Sequence, residues 1–140
     1  MTLKELSQLY YLNREIAADQ KRLDELNRMI GAPSPPPISD MPRAPHGVES
    51  KVERLAAEIV DLQAIIAARQ IQCIHERARL ERWINEIPDS LTREIFKCRF
   101  VECMSWLQVA RSVGGSNTEG SVKMICYRYL DGEEQKAPAQ

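Results

Sequence analysis

Histidine is nearly missing from this chain: His46 and His75 are the only two in 140 residues. Neither has a cysteine or carboxylate at a spacing useful for catalysis or metal binding. The four cysteines, Cys73, Cys98, Cys103 and Cys126, stand singly among apolar residues with no CxxC or close Cys/His pair. That pattern argues against a zinc site and for reduced packing thiols in a cytosolic compartment. No nucleophile motif, phosphate-cradling glycine loop or paired acid/base site occurs, so neither catalysis nor a cofactor is expected. No run of about 18 apolar residues is available for a membrane span. The opening MTLKELSQLYYL lacks the apolar core of a signal peptide, so a soluble, intracellular protein is expected. Nor does either charge dominate: 19 cations face 20 anions, a net −1, and whole-chain charge gives no reason to expect nucleic-acid binding.

The chain does contain helix signals in quantity. Thr2 and Glu5 have the spacing of a capping box, predicting a helix from Leu3. Leu9, Leu12, Ile16, Leu23, Leu26 and Ile30 then follow an alternating three- and four-residue spacing, interrupted at Asp19. This is a heptad seam ending at Gly31. Beyond it the six prolines from Pro33 to Pro45 exclude helix and central strand. They predict a stiff loop over 31–47, with a polyproline ligand for a partner domain as the functional alternative.

Ser50 and Glu53 suggest a second capping box, and Val52, Leu55, Ile59, Leu62, Ile66, Cys73, Leu80, Trp83 and Ile87 continue the seam to Pro88. Arg69 and Glu76 interrupt it. Either the partner helix has ended at that level, or the seam carries a register-setting polar layer. Two helices of unequal length joined by such a loop predict an antiparallel coiled-coil hairpin over residues 1–88. With too little apolar surface to stand alone, the hairpin implies a homodimer or higher oligomer through this region.

Pro88 ends the long helix and Asp89 can cap the next, in which Leu91, Ile95, Phe96 and Phe100 form an apolar face. After a connection at 101–104, Ser105 and Gln108 make a third capping-box spacing, opening a helix with Trp106, Val109, Ala110 and Val113 inward. The Gly114-Gly115 turn leads into a last helix capped by Ser116, Asn117 or Thr118, with Val122, Ile125 or Cys126, and Tyr129 packing. Two short helices across a glycine turn have the layout of a helix-turn-helix. Its outward residues, Asn117, Thr118, Ser121, Lys123, Met124, Tyr127 and Arg128, offer donors for phosphates and side chains able to reach base edges. Residues 91–130 hold six cations against three anions, a modest local basic excess.

LTREIFKCRFVECMSWLQVARSVGGSNTEGSVKMICYRYL resembles the region 4 DNA-binding domain of sigma-70-type factors. The resemblance is carried by SW-x-x-VA (Ser105, Trp106, Val109, Ala110), the glycine turn, and Val122, Lys123, Arg128 and Leu130. Within that class it is most similar to ArpU/RinA-type phage and prophage regulators. It covers about forty residues in motif, and residues 1–88 in architecture only. The segment GGSNTEG is about two residues longer than the usual sigma turn, which leaves the register of residues 117–120 unassigned.

These readings together predict an all-α protein with three parts, a helical hairpin at 1–88, a helix-turn-helix bundle at 89–131 and a disordered tail at 132–140, and the resemblance implies that the bundle is sigma region 4-like. It also implies a DNA-binding regulator of phage late genes, cytoplasmic in the bacterial host, with double-stranded DNA and RNA polymerase as partners and no membrane. The alternatives are a small terminase-like packaging subunit, or a coiled-coil protein-interaction module.

Overall fold

The computed structural model describes residues 1–31 and 49–136. All regular structure among them is helical, and none of these helices is long and apolar enough to cross a membrane. In chain order they are α1 (Leu3–Leu6), α2 (Gln8–Gly31), α3 (Glu49–Asn85), α4 (Ser90–Phe96), α5 (Trp106–Val113) and α6 (Glu119–Lys136), with a π-helical turn, Lys97–Val101, continuing α4. The proline-rich loop after Gly31, His46, the side chain of Ser50 and residues 137–140 lie outside the described residues. The chain divides into two compact units, Arg14–Ile71 and the pair Met1–Asn13 with Gln72–Gln140.

In the first unit, α2 and α3 run in opposite directions. Asp19 meets Arg69, whereas Arg22, one turn further along α2, reaches Glu58, three turns back along α3, at 3.8 Å. Leu23, Leu26 and Ile66 are buried along the seam. Arg69 resolves the two readings of its interruption: its guanidinium pairs with Asp19 and lies 3.5 Å from Glu15, forming a polar layer across the two helices. Ile30 and Val52 do not join the seam and are 38% and 57% exposed. Each stands within a turn of its helix end, where its own helix offers only one flank to pack against.

The Arg69 and Asp19 side chains retain 33% and 23% of their exposure, so the layer is half-solvated and removal of one partner is tolerable. Asp19→Ala is expected to lower stability by about 1–2 kcal/mol by leaving Arg69 under-paired. Asp19→Leu combined with Arg69→Leu is expected to be neutral or stabilising. Urea unfolding midpoints read both.

The second unit holds the larger core. Leu6 and Leu9 from the N-terminal segment and Leu80, Ile84 and Ile87 from the end of α3 join Ile95, Phe96, Phe100, Val109, Val122, Cys126 and Leu130 in one cluster. This core crosses residue 88, because α4 to α6 are too short to bury their apolar faces on each other alone. The Thr2–Glu5 capping box forms as the spacing predicts: the Thr2 N–H donates to Glu5 Oε2 at 2.7 Å, and the Glu5 N–H to Thr2 Oγ1 at 3.3 Å. The Thr2 N–H, with the Thr2 hydroxyl donating to the same Oε2 at 3.1 Å, holds the Glu5 carboxyl below its usual range.

The expected single N-terminal helix is interrupted at Ser7, whose hydroxyl donates to the Leu3 carbonyl at 2.8 Å and competes with the backbone ladder. Asp89 caps α4 by accepting from the Thr92 N–H at 2.9 Å and the Thr92 hydroxyl at 2.7 Å. This satisfied hydroxyl lets Thr92 take a buried position, while Leu91, expected inward, is 37% exposed. At the other end, α6 continues past residue 131 to Lys136, displacing the start of the expected tail. Glu133, Glu134, Gln135 and Lys136 are good helix formers, and they outweigh the cost of about 1 kcal/mol for Gly132 in a helix interior.

Candidate nucleic-acid interface

Helix α5 opens with the Ser105–Gln108 capping box, in which the Ser105 N–H donates to Gln108 Oε1 at 2.9 Å and the Gln108 N–H to Ser105 Oγ at 3.3 Å. It buries Trp106, Val109 and Ala110. The helix stops because Gly114 takes φ 68° and ψ −159°, a region that side-chain-bearing residues rarely enter, and Gly115 follows at φ 67°. The Gly114 N–H still closes on the Ala110 carbonyl at 3.2 Å, and Asn117 Nδ2 donates to the Gly114 carbonyl at 2.9 Å. Gly114→Ala is therefore expected to cost about 1–3 kcal/mol through backbone strain alone, since a Cβ there meets nothing within 4 Å. Thermal denaturation with unchanged helical circular dichroism at low temperature checks it.

Beyond the glycines, polar bonding organises the start of α6. Thr118 is its N-cap: Thr118 Oγ1 accepts from the Ser121 N–H at 3.2 Å, and the Thr118 N–H donates to Ser121 Oγ at 2.8 Å. The Ser121 hydroxyl in turn donates to the Thr118 carbonyl at 3.0 Å. Of the three capping candidates, Thr118 takes the position. The polar atoms of Thr118 and Ser121 are thus occupied by the cap, and Asn117 by the turn.

Along α6 the buried side is Val122, Cys126 and Leu130, with Ile125 and Tyr129 half-buried. Burial drives the Cys126 thiol up to about 12, so it stays a neutral packing group at physiological pH. The opposite side carries Lys123, Met124, Tyr127 and Arg128 together, lining a shallow depression with Gly120 and Asp131. Met124 is 53% exposed and Tyr127 38%. The Tyr127 ring leans on Trp106 at 6.1 Å between centroids, which fixes its direction relative to α5. Lys123 and Arg128 are exposed and make no ion pair among the described residues.

The six cations of residues 91–130 divide into two sets. Arg93 Nη1 donates to the Ile87 carbonyl at 2.9 Å, and Arg99 Nη1 to the Met104 carbonyl at 2.8 Å. The Arg99 guanidinium also stacks on Trp106, 4.6 Å from the ring centroid. Arg93 thus braces the junction of α3 and α4, and Arg99 the backbone after the π-helical turn, which closes through the Glu102 N–H on the Lys97 carbonyl at 3.0 Å and turns Cys98, Phe100 and Val101 inward. Lys97, Arg111, Lys123 and Arg128 remain exposed. Arg111 was not among the sequence-based candidates, yet it shares a groove with Gly114, Gly115, Asn117, Thr118 and Glu119 at the start of α6. Local charge counting includes it, but only the packing of α5 on α6 brings it beside the turn. No group of histidine, cysteine or acidic side chains among the described residues is arranged to hold a metal ion.

No protein-family model, curated protein or solved structure matches the chain.

What the site can do follows from its own chemistry. The depressions along α6 and beside the turn are open to solvent, unlike the enclosed, mostly apolar form usual for a small-molecule pocket. The site offers a convex helix face with two cations, a thioether and a phenol, and a further cation, Arg111, beside the helix start. Such a face suits a grooved polyanion better than a small ligand.

Proposed function

We propose that the chain is a DNA-binding transcription regulator in which α5, the Gly114-Gly115 turn and α6 act as a helix-turn-helix. In this reading α6 enters the major groove. The observation that carries it is the division of α6 into a buried side, Val122, Cys126 and Leu130, and an outward side, Lys123, Met124, Tyr127 and Arg128. Lys123, Arg128 and Arg111 take phosphates or guanine edges, while Met124 and Tyr127 supply apolar contact to bases or sugar. Asn117, Thr118 and Ser121 shape the helix start and set how deeply it enters. The resemblance of residues 91–130 to sigma region 4 supports placing the protein among phage or prophage late-gene regulators, with RNA polymerase as a second partner.

The antiparallel α2–α3 pair serves in this proposal as a coiled-coil oligomerisation element. Three or four exposed cations per chain hold DNA weakly, and pairing two such units multiplies affinity through effective concentration.

The test is a duplex-binding titration at several salt concentrations, followed by selection of bound fragments from the encoding genome. A log–log salt slope of roughly −0.9 per phosphate contact, with enrichment upstream of an operon, supports the reading. Enrichment at a packaging site would redirect it to a terminase-like subunit. Binding that ignored salt would end it.

A further inference from the structure

Helix α3 has a second apolar line besides the one directed at α2. Ala57, Val60, Ala64, Ala67, Ile71 and Ile74 follow one another at alternating three- and four-residue steps, the spacing of a heptad seam. At about 100° per residue this line lies roughly 140° around the helix from Leu55, Ile59, Leu62 and Ile66, on the side away from α2. Its large members are the exposed ones: Val60 is 62% accessible, Ile71 56% and Ile74 69%. Single surface hydrophobics are ordinary, but several on one heptad line form a continuous patch that favours burial against a partner helix.

The line carries opposite charges at its two ends. Glu53 stands four residues before Ala57 and Arg82 eight after Ile74, both within about 30° of the line's mean direction. Both side chains are exposed, and neither has an ion-pair partner among the described residues.

We infer that a second copy of this chain covers the line, its α3 packed antiparallel on α3 with the two-fold axis passing between Ala67 and Ala68. Ala67 then lies opposite Ala68 of the second copy and Ala64 opposite Ile71, so small residues occupy the centre where the helices approach closely, and Val60 lies further out, opposite His75. Charge selects this arrangement. Glu53 comes within reach of Arg82 of the second copy, twice by symmetry, whereas a parallel, in-register pair would set Glu53 against Glu53 and Arg82 against Arg82. The inference rests on the proposed self-association and names its surface; it needs no DNA.

Light scattering of the full chain at tens of micromolar, without DNA, is expected to give twice the 16.0 kDa chain mass. Glu53→Arg sets like charges together twice and is expected to raise the dimer dissociation constant about ten-fold, and adding Arg82→Glu to return it close to the starting value. Independently of those variants, Ala67→Cys, beside the axis, is expected to form a disulfide to its own kind, mapped by mass spectrometry. Val60→Cys is expected to form none to itself, because the two copies of that position are about 22 Å apart along the helices. A monomeric parent chain would overturn the self-association as well as this surface. A dimer indifferent to Glu53→Arg, or a Val60→Cys chain that crosslinks to its own kind, would overturn the surface and register alone. Loss of DNA binding by α6 variants leaves all of these readouts unmoved.

Discussion

Phe96→Ala is expected to lower the unfolding free energy by about 3–5 kcal/mol, the range for a fully buried phenylalanine whose neighbours cannot collapse into the space. Phe96 has no exposed surface. Its ring lies 5.5 Å from Trp83, 5.4 Å from Phe100 and 5.5 Å from Tyr129, in tilted and edge-on arrangements. The three neighbours come from α3, the π-helical turn and α6, so one deletion loosens three elements. For a unit of this size the loss corresponds to a fall in melting temperature of more than about 10 °C. Leu91→Ala, on the same helix but half in solvent, is expected to cost about 1 kcal/mol or less. Equal losses at the two positions would mean that α4 is rotated from this orientation.

The second large effect concerns binding. Reversing Lys123 and Arg128 together to glutamate is expected to reduce affinity for duplex DNA at least roughly 100-fold and to lower the salt slope by about two units, one for each phosphate no longer engaged. Both side chains are solvent-exposed and make no ion pair among the described residues, and glutamate is as good a helix former as either, so folding is expected to survive. Lys21→Glu, an exposed lysine on α2, changes net charge in the same direction elsewhere and is expected to leave affinity within about two-fold. If all three substitutions acted alike, the interaction would depend on overall charge and α6 would not be the reading helix.

Local chemistry made the caps legible in the sequence. Thr2, Asp89 and Ser105 each satisfy the backbone donor three residues on, and nothing distant is needed to see it. The all-helical class was legible for a similar reason, since the three- and four-residue apolar spacing extends over most of the chain. The polar layer was only half legible: Asp19 and Arg69 stand out as seam interruptions, but their pairing depends on how two segments fifty residues apart align.

Other features had no sequence signal. The one-residue widening at Lys97–Val101 leaves no mark on the pattern, and it changes which of Cys98, Phe100 and Val101 face inward. An apolar count ranks Leu91 above Thr92 for burial, because it cannot know that Asp89 satisfies the threonine hydroxyl. A charge count likewise treats Arg93 and Arg99 as available to a ligand, although both are bound to backbone carbonyls. At the proposed interface, the outward residues of α6 could be named from helical spacing alone. The division of labour between Thr118 and Ser121, which hold the cap, and Lys123, Met124, Tyr127 and Arg128, which face out, depends on hydrogen bonds that spacing does not encode.

The core that joins Leu6 and Leu9 to Val122, Cys126 and Leu130 also sets the timing of assembly during synthesis. At 5–20 residues per second, translation separates Leu6 from Leu130 by roughly 6–25 s. The N-terminal segment can meet Leu80, Ile84 and Ile87 before the aromatic centre around Phe96 or the inner side of α6 has been made. Until Val122, Cys126 and Leu130 are added, the nascent chain keeps an unfinished apolar surface. Pauses in translation between the codons for Ile87 and Leu130 would therefore prolong the interval in which this surface is open to chaperones and proteases.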